Sequence, residues 1–132
     1  MNAIIAMGDA SAKRFKFGWY GDGGLGEKLI QAILAGRKTA TSCPAYDPED
    51  ADLKVGDKLS LIDKHGKVRA MLVVTATEIR SYGSFDEVLA RKEGTTLEEL
   101  RRSVVFANGR ELGPEEDMRV TYFELVHAKI RI

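Results

Sequence analysis

The chain is 132 residues and 14.6 kDa, the size of one compact domain. Its 20 Lys+Arg balance 20 Asp+Glu, which argues against a protein that coats DNA or an anionic membrane and leaves room only for a local basic patch. The lone Cys43 excludes an internal disulfide, and with His65 and His127 it cannot fill a structural zinc site, so no metal and no cofactor is expected. No apolar run reaches the roughly 18 residues of a membrane span. Met1–Met7 is too short for a signal peptide, and a reducing cytoplasm is the expected setting.

No repeat, low-complexity run or linker divides the chain. Residues 1–14 read as an N-terminal extension, with a short strand at Ala3–Ala6 as one option, and residues 15–132 as a single domain. Phe15–Tyr20 is aromatic-rich and runs into a glycine turn. Leu25, Leu29, Ile30, Ile33 and Leu34 recur at helical spacing and predict a helix over Leu25–Ala35, stopped by Gly36. Lys38–Cys43 reads as extended, Pro44–Lys54 as an acidic loop, and Val55-Gly56-Asp57 as a turn into a strand, Lys58–Ile62. Asp63–Gly66 is a hairpin turn, and Val68 to about Ile79 is a long strand whose Met71–Val74 run predicts burial on both faces.

A short helix is expected near Ser84, where Ser84 and Glu87 have capping-box spacing. A second is expected from Thr95 or Thr96, with Leu97, Leu100 and Val104 on one face and Gly109 or Gly113 beyond its end. Met118–Ile132 reads as the last strand. The order is helix, several strands, helices, strand, which is not β-α-β alternation. It predicts an α+β domain: a curved, mostly antiparallel sheet or partly closed barrel flanked by helices.

Several motifs invite chemical readings. Gly21-Asp22-Gly23-Gly24-Leu25-Gly26 has the glycine spacing of a dinucleotide site, but no flanking βαβ unit supports it; it reads as a turn before a helix N-terminus that would still suit an anion. Gly36-Arg37-Lys38-Thr39 lacks the spacer and Gly-Lys pair of a phosphate-binding loop. Cys43 has no activating neighbour, His65 sits in a polar turn, and His127 lies in a strand. The richest segment is Gly36–Ser42, with two cations and three hydroxyls. On a regular strand Lys38, Ala40 and Ser42 share one face, and Thr39, Thr41 and Cys43 the other.

That segment, with the Gly56-Asp57 turn about twenty residues later, resembles the ASCH family, which implies a PUA-like fold. Where the family hallmark has an acidic residue and then an arginine, this chain has Thr41 and Cys43. Gly36-Arg37-Lys38-Thr39-Ala40-Thr41 and Glu93-Gly94-Thr95-Thr96-Leu97-Glu98-Glu99-Leu100 are similar to the small bacterial members that include N4-acetylcytidine amidohydrolases. A longer bacterial subgroup, linked to RNA binding and ribonuclease activity, is similar in Tyr20-Gly21-Asp22, Lys38–Thr41 and Phe85-x-x-Val88. The resemblance spans roughly residues 17–127.

It implies a catalytic trio of Lys38, Thr41 and Glu93, with no metal. Lys38, made neutral by burial, would be the base; Thr41 would attack an acyl carbonyl; Glu93 would move protons to the leaving nitrogen and from water. Arg37 or backbone N–H groups would steady the oxyanion. Ser42 belongs to the same substrate-binding segment. Tyr20 and Tyr122, like Trp19 and Tyr82, are candidates to stack a base. The expected partner is a nucleoside or short single-stranded RNA, without a membrane. The alternatives are an RNA-binding protein or ribonuclease of the family, and a non-catalytic nucleotide-binding regulatory module.

Overall fold

The computed structural model describes residues 12–48 and 50–128. The expected strand at Ala3–Ala6 and residues 129–132 of the expected last strand lie outside them. The elements in chain order are β1 (Lys13–Lys16), α1 (Leu25–Leu34), β2 (Ala40–Pro44), β3 (Lys58–Ile62) and β4 (Val68–Ser81). A 3₁₀ turn (Tyr82–Ser84), α2 (Glu87–Lys92), α3 (Leu97–Asn108) and β5 (Asp117–Ala128) follow. The strands form one sheet in the order β1-β3-β4-β5-β2, with β1 parallel to β3 and every other pair antiparallel. The architecture is α+β, a curled half-barrel with three helices among the described residues.

The curl has a local cause. The β4–β5 ladder shifts register between Met71 and Leu72 and again between Val74 and Ala76, and such irregularities bend a strand and sharpen its twist. The curl leaves two edges, β1 and β2.

One core cluster joins Phe15 of β1 to Ile30 and Ile33 of α1 and to Leu59, Leu72 and Phe123 of the sheet. A second packs Leu89 of α2 and Leu100 and Val104 of α3 on Met118 and Val120. Within the Met71–Val74 run, Met71, Leu72 and Val74 are buried and Val73 is half-buried.

Two local expectations are corrected. The short helix is capped by Asp86, whose carboxylate accepts from Leu89 N at 2.9 Å, while Ser84 closes the preceding 3₁₀ turn and donates to Ser81 O. The turn before α1 is no open anion site, because the Asp22 carboxylate accepts from the N–H groups of Trp19, Gly24 and Gly26. A Cβ on Gly26 would lie 2.3 Å from Gly18 Cα, so that glycine serves close packing of the turn on the helix. Thr96 caps α3 by accepting from Glu99 N, and Gly109 at φ 69° ends it.

Candidate functional site

Arg37, Lys38 and Thr39, between α1 and β2, are fixed by backbone bonds before any side chain is considered. Arg37 N and Lys38 N both donate to Ala32 O, so the chain turns sharply off the helix. Thr39 N then donates to Lys92 O at the end of α2, and Phe123 N donates to Thr39 O. This pins the start of β2 between α2 and β5. From the other side, Glu93 N donates to Leu89 O as α2 ends, and Gly94 takes φ 84°. A Cβ at Gly94 would sit 3.3 Å from Arg37 O and from Lys38 Cβ, so glycine lets the two segments touch. The result brings Lys38 and Glu93, 55 residues apart, into contact.

Both side chains are almost fully enclosed, Lys38 at 3% exposure and Glu93 at 4%. Lys38 Nζ donates to Ala40 O at 2.7 Å and to Glu93 Oε1 at 3.3 Å. Burial pulls the Lys38 ammonium below its usual range, opposed by the adjacent carboxylate. Burial likewise pushes the Glu93 carboxyl up, opposed first by Lys38. Each is moved toward its uncharged form. Ser42 stands beside the Glu93 carboxyl, yet Ser42 Oγ and Glu93 Oε2 are both buried with no hydrogen-bond partner. Unpaired buried polar atoms are costly in a protein interior.

These groups floor a cleft of about 520 Å³, within the size range of small-molecule sites. Both edge strands line it: Arg14–Lys16 of β1 on one side, Thr41 and Ser42 of β2 on the other. The cleft therefore opens where the sheet has not closed into a barrel. Lys28 and Ala32 of α1, Arg37, Gly94 and Ser103 of α3 also line it. Trp19 stands at 39% exposure in the wall, its ring stacked on Phe106 with centroids 5.8 Å apart.

The predicted site residues fall into two groups. Lys38, Thr41, Glu93, Arg37 and Ser42 all line the cleft. Thr41 is half-buried and pairs with Thr121 of β5; its hydroxyl bonds to none of the described side chains. Tyr20 and Tyr122 are elsewhere. Tyr20 is 72% exposed and packs edge-on against His65, with its hydroxyl 3.2 Å from Nδ1. Tyr122 donates its hydroxyl to Glu78 and lies under the Lys92 ammonium. Cys43 keeps its thiol: burial and Asp50 push its pKa up, away from thiolate. Sequence reasoning did not single out Arg14, Lys16 and Lys28. The only trace was the charge alternation around Phe15, too short to read as a strand.

No family model and no curated protein matches the chain. Solved structures do. An ASCH domain from Lactobacillus crispatus superposes with a TM-score of 0.71 at 16% identity, over 96% of this chain and 87% of that one. Protein EF3133 from Enterococcus faecalis, of the family DUF984, does so with a TM-score of 0.69 at 26% identity, over 88% and 77%. The chain has the ASCH fold. A hypothetical protein, PH0355, is similar at a TM-score of 0.52 and 23% identity, over 86% of this chain and 99% of that one. The ASCH likeness settles the architecture, with its PUA-like half-barrel, while chemistry must be argued from the cleft itself.

Proposed function

We propose that this ASCH-fold chain is a metal-independent amidohydrolase that removes an acyl group from an N4-acylated cytidine. The observation that carries the reading is the enclosed Lys38–Glu93 pair, set in a cleft beside the hydroxyls of Thr41 and Ser42. An ion pair this buried gives little net stability, because desolvation offsets its attraction. Two titratable groups shifted in opposite directions at the floor of a cleft are what acid–base chemistry requires.

In the uncharged form of the pair, Lys38 offers a lone pair and Glu93 a proton. Lys38 takes the proton of Thr41 Oγ1 as that oxygen bonds to the acyl carbon. The carbon–nitrogen bond then breaks, and Glu93 gives its proton to the departing N4. Thr41 is left as an ester. Glu93, now a carboxylate, takes a proton from the attacking water, the ester bond breaks, and Lys38 returns its proton to Thr41 Oγ1. The sum is amide plus water giving amine plus carboxylic acid. Arg37, exposed at the cleft, would steady the oxyanion on this reading.

The test is incubation with N4-acetylcytidine and chromatography for cytidine, beside Lys38→Ala and Thr41→Ala. Cytidine release that is lost in both variants supports the reading; no release from the wild type ends it. A second reading, binding or cleavage of short single-stranded RNA, is favoured by Trp19 in the cleft wall and the cations around it. On that reading Lys38→Ala impairs cleavage, Thr41→Ala weakens it only partly, and single-stranded RNA is the substrate to assay. A cytoplasmic setting belongs to the same proposal and rests on the single cysteine.

A further inference from the structure

The cations of this chain are not all used alike. Lys13, Lys64, Arg69, Arg80, Arg102 and Arg110 each have a carboxylate within 4 Å, as does Lys38 inside the cleft. Four cations that line the cleft have none among the described residues: Arg14 and Lys16 on β1, Lys28 on α1, and Arg37 after it. All four are exposed. Arg14 and Lys16 flank Phe15, which is buried in the core, so strand alternation turns both cations to the face away from it. Lys28 and Ala32 are one turn apart on α1 and line the cleft together. The carboxylates of the cleft have other partners or follow β2: Glu93 is engaged with Lys38, Glu99 with Arg102, and Asp50 accepts from Cys43 Sγ, while Asp47 lies in the loop after β2. In a chain of formal net charge 0, this is a local concentration of unpaired positive charge beside a floor that holds one buried acid–base pair.

Such a rim calls for an anion. A neutral nucleoside would leave it idle, and no carboxylate among the described residues pairs with it. The nearest helix N-terminus is not part of the device, because Asp22 already occupies it. We propose that the group bound in the cleft carries a phosphate: its base reaches Lys38, Glu93 and Ser42, and its phosphate is held by Arg14, Lys16 and Lys28, with Arg37 left to the acyl group. The substrate class is then an acylated cytidine nucleotide, held more tightly than the free nucleoside, which still reaches the acid–base pair. The inference rests on the reading above for the acyl group, but the phosphate subsite stands on the rim alone. The phosphate is either the terminal group of a mononucleotide or a link in a short RNA.

The experiment is a binding titration with the unreactive products, which keeps it separate from hydrolysis. Trp19 is the single tryptophan of the chain and lines the cleft, so its fluorescence reports occupancy directly. Cytidine, cytidine 5′-monophosphate and the trinucleotide CpCpC are titrated into the wild type and into Arg14→Ala/Lys16→Ala. The expected result is that the monophosphate binds about tenfold or more tightly than cytidine, the gain of one or two charge-assisted hydrogen bonds. The double variant, whose substitutions lie on an exposed face, should erase most of that gain and leave cytidine binding unchanged. A gain seen with CpCpC and not with the monophosphate keeps the subsite and assigns it to an RNA backbone. Equal binding of cytidine and both phosphorylated probes overturns the proposal, as does a phosphate gain that survives in the double variant, or no binding of any of the three. Hydrolysis of N4-acetylcytidine alongside equal binding would refute the phosphate subsite and leave the amidohydrolase reading intact.

Discussion

Two carboxylates in this chain are almost hidden from solvent and are treated in opposite ways. Asp22 is 2% exposed and accepts from three backbone N–H groups, with Lys64 Nζ 3.9 Å away. Those bonds from Gly24 and Gly26 hold its pKa below the usual carboxylate range. Glu93 is 4% exposed, has one lysine, and keeps Oε2 without a partner; burial pushes its pKa up. The first is a structural charge, its partners complete. The second is held incomplete at the floor of a cleft. Burial alone does not distinguish a structural acid from a chemical one; the count of satisfied acceptor sites does.

The largest effects should appear where Glu93 and Lys38 are changed. Lys38→Ala or Glu93→Gln is expected to lower the rate of N4-acetylcytidine hydrolysis by about 10²–10⁴-fold, whereas Asp22→Asn should leave it near wild type; steady-state assays decide. Thr41→Ala should also remove hydrolysis, and electrospray mass spectrometry of quenched wild type should find an acyl adduct on Thr41 that the variant lacks. Next in size is Gly26→Ala, which forces a Cβ onto Gly18 Cα. It should cost about 1–3 kcal/mol in a denaturant titration.

The smallest effects concern pH. The Asp22 pKa is depressed in the fold, so its contribution is present above the unfolded value and lost as pH falls through the folded one. Asp22→Asn should flatten that acid limb of stability, measured by thermal melts across pH. Activity should instead follow a bell. On the acid side Lys38 holds its proton and is no base; on the alkaline side Glu93 has lost its proton and is no acid. Glu93→Gln should remove the alkaline limb from whatever rate remains.

The sequence was most legible where local rules act. Helical spacing and Gly36 predicted α1, the flanking turns predicted β3, a β-branched run predicted β4, and Thr95 or Thr96, each three residues before a glutamate, predicted the start of α3, where Thr96 is the cap. Ser84 misled because Asp86 offered a competing cap two residues later, with a 3₁₀ turn between. β1 was missed because Lys-Arg-Phe-Lys buries one side chain in four and owes its strand state to parallel pairing with β3. At the site, the resemblance singled out Lys38 and Glu93, but no local rule brings them together. Their contact depends on Gly94 and on the Thr39–Lys92 bond, both long-range matters. Tyr20 and Tyr122 show the converse: aromatic content is visible in sequence, while the direction a ring faces is decided by neighbours such as His65 and Glu78.

The central claim is that the Lys38–Glu93 pair exists for chemistry and is carried by the fold at a cost. The most direct test is the double variant Lys38→Met/Glu93→Leu, measured for stability and hydrolysis together. Removing both partners of a buried pair in favour of apolar groups of similar volume is often neutral or stabilising, whereas removing one costs about 3–5 kcal/mol. The account predicts that the double variant melts at or above the wild-type temperature and releases no cytidine from N4-acetylcytidine. A double variant that is clearly less stable than wild type yet still releases cytidine would contradict it and make the pair a structural element.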